Sequence, residues 1–180
     1  MPAFVRPFLC ACFAVAALQA TEKVPITGVR IGGAAADIAG VDAMGAKCAL
    51  SDYKGQVILL DISAGWCYWC QVDAPAIQAL YRTYEGQGLK VVTVLSEDVN
   101  GAGPVTVGNL KSWVSTYGLT FRVQNDASGG ANGVAEKVYV AATGGFPTLA
   151  IIDKGFKVQY LEGGYDANAV QAKVAALLAQ

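Results

Sequence analysis

From position 50 onward the chain alternates short apolar runs with stretches of helical spacing. Val57-Ile58-Leu59-Leu60-Asp61-Ile62 is apolar at nearly every position. It is too short for a free-standing helix and rich in β-branched and leucine residues, so it reads as a strand buried on both faces. A small-residue turn, Ser63-Ala64-Gly65, ends it. Beyond Cys70 the period becomes helical, with Val72, Ile77, Leu80 and Tyr81 on one face. The spacing predicts a helix from Cys67 to about Tyr84 that stops at Glu85-Gly86-Gln87-Gly88, with a kink at the internal Pro75. Leu89 to Ser96 is a second buried run. Strand, helix and strand in this order imply parallel pairing through a right-handed crossover.

The remaining pattern is read in the same way. Val107 to Tyr117 is a helix with Leu110, Trp113 and Val114 on one side and Gly118 as its C-cap. Phe121 to Val123 is a short strand, Asp126 to Gly133 a glycine-rich loop, and Val134 to Val140 a short helical piece. Pro147 to Ile152 and Phe156 to Leu161 flank the hairpin signal Asp153-Lys154-Gly155. A last helix runs from Asp166 or Asn168 as N-cap to Ala179. Ahead of the first buried run, residues 21–55 are rich in Gly and Ala and read as an irregular segment followed by a hairpin bent at Asp42 to Gly45.

Residues 1–20 have the shape of a secretory signal peptide: Arg6, an apolar stretch from Phe8 to Leu18, and Ala20 before the polar Thr21-Glu22-Lys23. The apolar core is shorter than the ~20 residues that span a bilayer, which counts against the alternative of an uncleaved anchor. Residues 21–180 then form a single domain, exported and periplasmic. Cys10 and Cys12 leave with the leader, and Cys48, Cys67 and Cys70 remain. In an oxidising compartment Cys48 is the odd one; it reads as a buried, inert thiol, with a third redox cysteine as the alternative.

Composition narrows the chemistry. With 54% hydrophobic residues the chain has ample material for a core, and a net charge of -1 with 15% charged residues offers no basic face to nucleic acid. It contains no histidine, which removes Ser-His and Cys-His catalysis and histidine metal sites. The acidic loop Glu97 to Thr106 lacks the ligand ladder of a calcium site and reads as a solvated turn. No metal or other cofactor is expected. Thiol chemistry is left.

The two cysteines of Cys67-Tyr68-Trp69-Cys70 lie at the start of the predicted helix. Unpaired backbone N–H groups and the positive end of the helix dipole stabilise a thiolate there, so Cys67 reads as the attacking sulfur, facing solvent. Cys70, one turn behind, reads as the resolving thiol. Asp61, inside the buried strand, should have a raised pKa and accept the proton of Cys70, directly or through water. Trp66, Tyr68 and Trp69 read as an aromatic collar for an extended polypeptide, although Trp66 packing against the helix start is an equal reading.

The segment resembles the active-site strand of the thioredoxin-like superfamily, whose members carry a Trp just before a CxxC, an Asp six residues before the first Cys and a Pro five after the second. Trp66, Asp61 and Pro75 stand at those offsets. Gly144-Gly145-Phe146-Pro147-Thr148, followed by Leu149 to Ile152, resembles the superfamily's cis-proline loop and next strand. The resemblance implies a thioredoxin fold of α/β class: a mixed central sheet flanked by helices. The turn Leu50 to Gln56 and the long stretch between Cys70 and Pro147 resemble the TlpA type, which adds an N-terminal hairpin and a strand-helix insertion before the cis-Pro loop. Pro147 is then expected to be cis, presenting the backbone of Phe146 to substrate. Superfamily members often set a Lys opposite the buried Asp; here the neighbouring strand offers Thr93 and Val94.

The implied function is a thiol-disulfide oxidoreductase that reduces disulfides of exported proteins and is recharged by a membrane electron donor. Strong oxidants of the superfamily hold a His between the cysteines, and Tyr68-Trp69 has none, which leans towards reduction. A disulfide oxidase or isomerase and a non-catalytic thioredoxin-fold binding module are the alternatives. A peroxidase would place its cysteine in a PxxxTxxC context, absent around Cys67.

Overall fold

The computed structural model describes residues 28–180. The expected signal peptide, with Cys10 and Cys12, lies outside the described residues. The elements follow as β1 (Ala39–Val41), β2 (Lys47–Ala49), β3 (Val57–Ala64), α1 (Tyr68–Tyr84), β4 (Leu89–Glu97), α2 (Val107–Tyr117), β5 (Arg122–Gln124), a π-helical turn (Ala135–Val140) running into α3 (Ala141–Thr143), β6 (Thr148–Ile152), β7 (Val158–Gly163) and α4 (Ala167–Leu178).

Five strands form one mixed sheet in the order β5-β4-β3-β6-β7. β3 occupies the centre, parallel to β4 and antiparallel to β6. All eight of its residues are buried, as its unbroken apolar run requires. Alternate side chains serve two cores. Val57 and Leu59 pack with Ile77 and Leu80 of α1, Leu110 and Trp113 of α2, and Val170 and Val174 of α4. Ile58, Leu60 and Ile62 pack with Ile38, Leu50 and Tyr139. Each such aliphatic side chain contributes roughly 1.5–3 kcal/mol through burial. A helix and a strand, α2 and β5, stand between β4 and the Pro147 loop.

The segment ahead of β3 lies against both edges of the sheet. Residues 32–35 pair with the outer side of β7 through Gly32 N–H to Val158 C=O (2.7 Å) and Ala35 N–H to Phe156 C=O (2.9 Å). The hairpin β1-β2 bends at Asp42 to Gly45, as the turn residues predict, and lies along β5: Ala127 N–H reaches Ala39 C=O at 2.8 Å. An unpaired edge is a template for aggregation, and these contacts cover part of each.

Three of the differences from expectation have a local cause. β5 is shifted by one residue, because Phe121 turns into the core beside Tyr81 instead of entering the ladder. β7 starts at Val158, because Phe156 takes a left-handed conformation (φ 59°) inside the turn, where its N–H bonds Asp153 C=O at 2.9 Å. The helical piece after the glycine loop is a π-turn, with Ala135 N–H held by the buried Asp126 at 2.8 Å. α1 runs through Pro75 unbroken.

Candidate active site

The cysteine pair hangs on the end of β3. The chain leaves the strand at Ala64 and turns through Gly65, where a Cβ would sit 2.8 Å from the backbone of Asp98 and Val99, so only glycine fits. The turn is pinned twice: Cys67 N–H to Ala64 C=O at 3.1 Å, and the Gln71 side-chain amide to Gly65 C=O at 2.9 Å. Cys67 is thereby the N-cap of α1, and its Sγ accepts the Cys70 N–H at 3.2 Å. Cys67 and Cys70 are joined as a disulfide, with Cα atoms 5.3 Å apart. The expected exposure of Cys67 is slight: it is 4% exposed and Cys70 1%. Both cysteines belong to the core cluster under α1, against which Phe146 and Tyr165 also pack.

Trp66, Tyr68 and Trp69 are 49%, 67% and 63% exposed, a concentration of apolar surface at one place on the molecule. Tyr68 and Trp69 meet edge to face at 5.2 Å. Trp66 meets the Phe146 ring edge to face at 6.0 Å, and its indole N–H donates to Glu97 Oε2 at 2.5 Å. Trp66 thus packs on Phe146 and Glu97 rather than on the helix start, and about half of its surface stays exposed. Pro147 is buried and preceded by a cis peptide bond, as the resemblance implied. The loop is tied by Thr148 Oγ1–H to Gly145 C=O at 2.7 Å, and Pro147 C=O accepts Gly164 N–H at 2.8 Å. Because β6 runs antiparallel to β3, this loop arrives at the end of the sheet where Cys67 sits.

Asp61 lies two residues past Leu59 on the sheet face covered by α1, and is 2% exposed. It is paired in register with Thr93, whose hydroxyl donates to Oδ2 at 2.7 Å; Ser63 donates to Oδ1 at 2.9 Å. Burial pushes its pKa up to about 6, with the two hydroxyls pulling the other way. A lysine at the Thr93 position would oppose that shift with a full charge; a hydroxyl satisfies the oxygens without one.

Three contributors were not anticipated. Asp73 stands one turn after Cys70 on α1; burial raises its pKa, and its charge adds to the upward shifts of Asp61 and Tyr165. Its spacing of three from Cys70 was a readable signal. Gln71 reaches back six residues to Gly65, and Glu97 meets Trp66 from 31 residues away, a contact for which the sequence holds no local sign. Cys48, by contrast, behaves as expected: it is buried in β2 and donates its S–H to Gln124 Oε1 at 3.4 Å. The Asp98 carboxylate accepts the N–H groups of Asn100 and Ala102 in an exposed turn. Among the described residues no group of three or more His, Cys, Asp or Glu is placed to hold a metal ion.

A thioredoxin fold with a cysteine pair at a helix N-terminus, facing a cis-proline loop, defines the thioredoxin-like class. The chain belongs to the AhpC/TSA family, whose model matches residues 31–161. Among curated relatives, the thiol-disulfide oxidoreductase ResA of Geobacillus thermodenitrificans is 29% identical over 144 residues, covering 80% of this chain and 74% of that one. ResA of Bacillus anthracis is 28% identical over 130 residues, covering 72% and 68%. Among solved structures, a Chlorobium tepidum protein assigned as thiol:disulfide interchange protein DsbE superposes with a TM-score of 0.69 at 25% identity, covering 84% of this chain and 99% of that chain. A thiol:disulfide interchange protein from Bacteroides sp. shares the fold with a TM-score of 0.68 at 18% identity, covering 84% and 92%.

Proposed function

We propose that this protein is a thiol-disulfide oxidoreductase that reduces disulfides of exported proteins. The observation that carries the reading is the cysteine pair closed across the first turn of α1, with Cys67 as N-cap and the exposed aromatics ranged around it. The ResA relatives support the reaction class.

In the reduced protein the Cys67 thiolate, favoured by the helix N-terminus, attacks one sulfur of a substrate disulfide. The substrate S–S bond breaks, its other sulfur leaves and takes a proton, and a Cys67-substrate disulfide forms. Asp61 then takes the proton of Cys70, through water where needed. Cys70 attacks Cys67 Sγ, the substrate's second sulfur leaves as a thiol, and the Cys67–Cys70 disulfide described here is restored. Two electrons have passed to the substrate. A membrane-borne dithiol donor returns them, since the compartment itself is oxidising. Phe146 and Pro147 offer backbone to the substrate strand, and Trp66, Tyr68 and Trp69 hold its apolar side chains. Removal of the leader after Ala20 delivers residues 21–180 to the periplasm.

Equilibrating the protein with glutathione or dithiothreitol buffers while following tryptophan fluorescence gives the reduction potential. A value near about -270 mV, that of thioredoxin, is expected. A value near about -120 mV would replace the reading with that of a disulfide-forming oxidase.

A further inference from the structure

Glu97 closes β4, next to Ala64 of β3, and its backbone C=O accepts the Gly65 N–H at 2.8 Å. Its side chain therefore lies beside the turn that carries Cys67, where it holds the Trp66 indole. Glu97 also lines a cleft of about 340 Å³. One wall is Gly101, Gly103 and Pro104; the facing wall comes from the Gly129-Gly130 loop. These walls are largely backbone. A Cβ on Gly103 would sit 2.8 Å from Gly130 N, and one on Gly101 would meet the Trp66 indole at 3.7 Å. The two loops thus approach each other as bare chain, and Glu97 is the one charged residue lining the cleft.

The charge in this cleft is unbalanced. Among the described residues the one salt bridge joins Arg122 to Asp52, away from here, so no cation neutralises Glu97. Asp98 follows it in the chain, and Glu136, held by Ser96 at 2.5 Å, lies near enough for Glu97 to raise its pKa. No Lys or Arg lines the cleft.

We propose that Glu97 is a specificity-determining residue: the cleft receives the polypeptide flanking the target cysteine, and Glu97 favours a lysine or arginine in it. The proposal rests on the thiol-exchange reading of Cys67. It adds a direction to the substrate, which runs from the cis-proline loop past Cys67 and Trp66 into the cleft. A cationic side chain entering there meets Glu97 beside an indole, which itself attracts cations.

The test uses two single-cysteine peptides, identical except for Lys or Glu two positions from the cysteine, each carrying its sulfur as a mixed disulfide with thionitrobenzoate. The reduced protein attacks the peptide sulfur, and coloured thionitrobenzoate leaves. This single event needs no turnover, so it is read even if the protein fails to reduce insulin, a result that would sink the reductase reading alone. The wild type is expected to react about fivefold faster with the Lys peptide at low salt, the preference shrinking as salt rises. Glu97→Gln, which keeps an acceptor for Trp66, should bring the ratio near one, and Glu97→Lys should invert it. The ratio is taken within one preparation, so an unfolded fraction cancels. A wild-type ratio of one, or a ratio that Glu97→Gln leaves untouched, overturns the proposal.

Discussion

Cys48 and Cys67 are hidden to nearly the same degree, 9% and 4% exposed, and yet one is a free thiol and the other is half of a disulfide. Cys48 donates its proton to Gln124 Oε1, and the Gln124 amide nitrogen is fixed by Ile38 C=O at 3.0 Å, so the oxygen stays aimed at the sulfur. Burial and that acceptor both favour the thiol, and burial raises the Cys48 pKa. Cys67 is an acceptor instead, at the start of a helix whose free N–H groups favour negative charge. Depth alone does not make a cysteine inert. The direction of its hydrogen bonds separates the two sites.

The sharpest way to break this comparison is to remove each sulfur in turn. Cys67→Ser should lower disulfide reduction by about 100-fold or more, while Cys48→Ser should stay within about twofold, measured by insulin reduction. Equal losses would mean that Cys48 takes part in the redox cycle. The next effect concerns the carboxylate beneath the pair. Asp61 titrates near the ordinary 3.8 in the unfolded chain and at about 6 in the fold. At the acid end both states are protonated and nothing is lost. As pH rises through that window the unfolded chain releases its proton first, so stability falls and levels off above about 6, at a cost on the order of 3 kcal/mol. Asp61→Asn should therefore be more stable than wild type by about that amount near pH 8 and close to parity near pH 3, by urea denaturation; it should also slow resolution of the mixed disulfide. A pH-independent difference between the two would remove Asp61 as the titrating group. Smallest is Cys48→Ala, which should cost about 1 kcal/mol of stability and leave the reduction potential unchanged.

What could be read in advance follows physical range. β3, β4, α1 and α2 were legible because their apolar periods are strong and their ends carry glycines or turn residues. Cys67 and Cys70 were legible because strand, turn and helix spacing fix a local geometry. Asp61 announced itself as a carboxylate in an unbroken apolar run. Lateral contacts were not visible. Nothing near Trp66 in sequence indicates Glu97, and nothing in residues 32–35 marks them as partners of β7. The π-turn after Asp126 depends on a carboxylate reaching Ala135 and Ser128, which no periodicity encodes. The Gly103-Pro104 bond is cis as well, without a motif to signal it.

The central position of β3 has a consequence for the order of events as the chain is made. Asp61 pairs with Leu149, so the strand bearing the cysteines joins the strand bearing the proline loop only after everything between them has emerged. Cys67 and Cys70, three residues apart, need no such wait to find each other. A nascent chain thus holds both cysteines before the cis-proline loop stands beside them, so the surroundings of the pair are completed last.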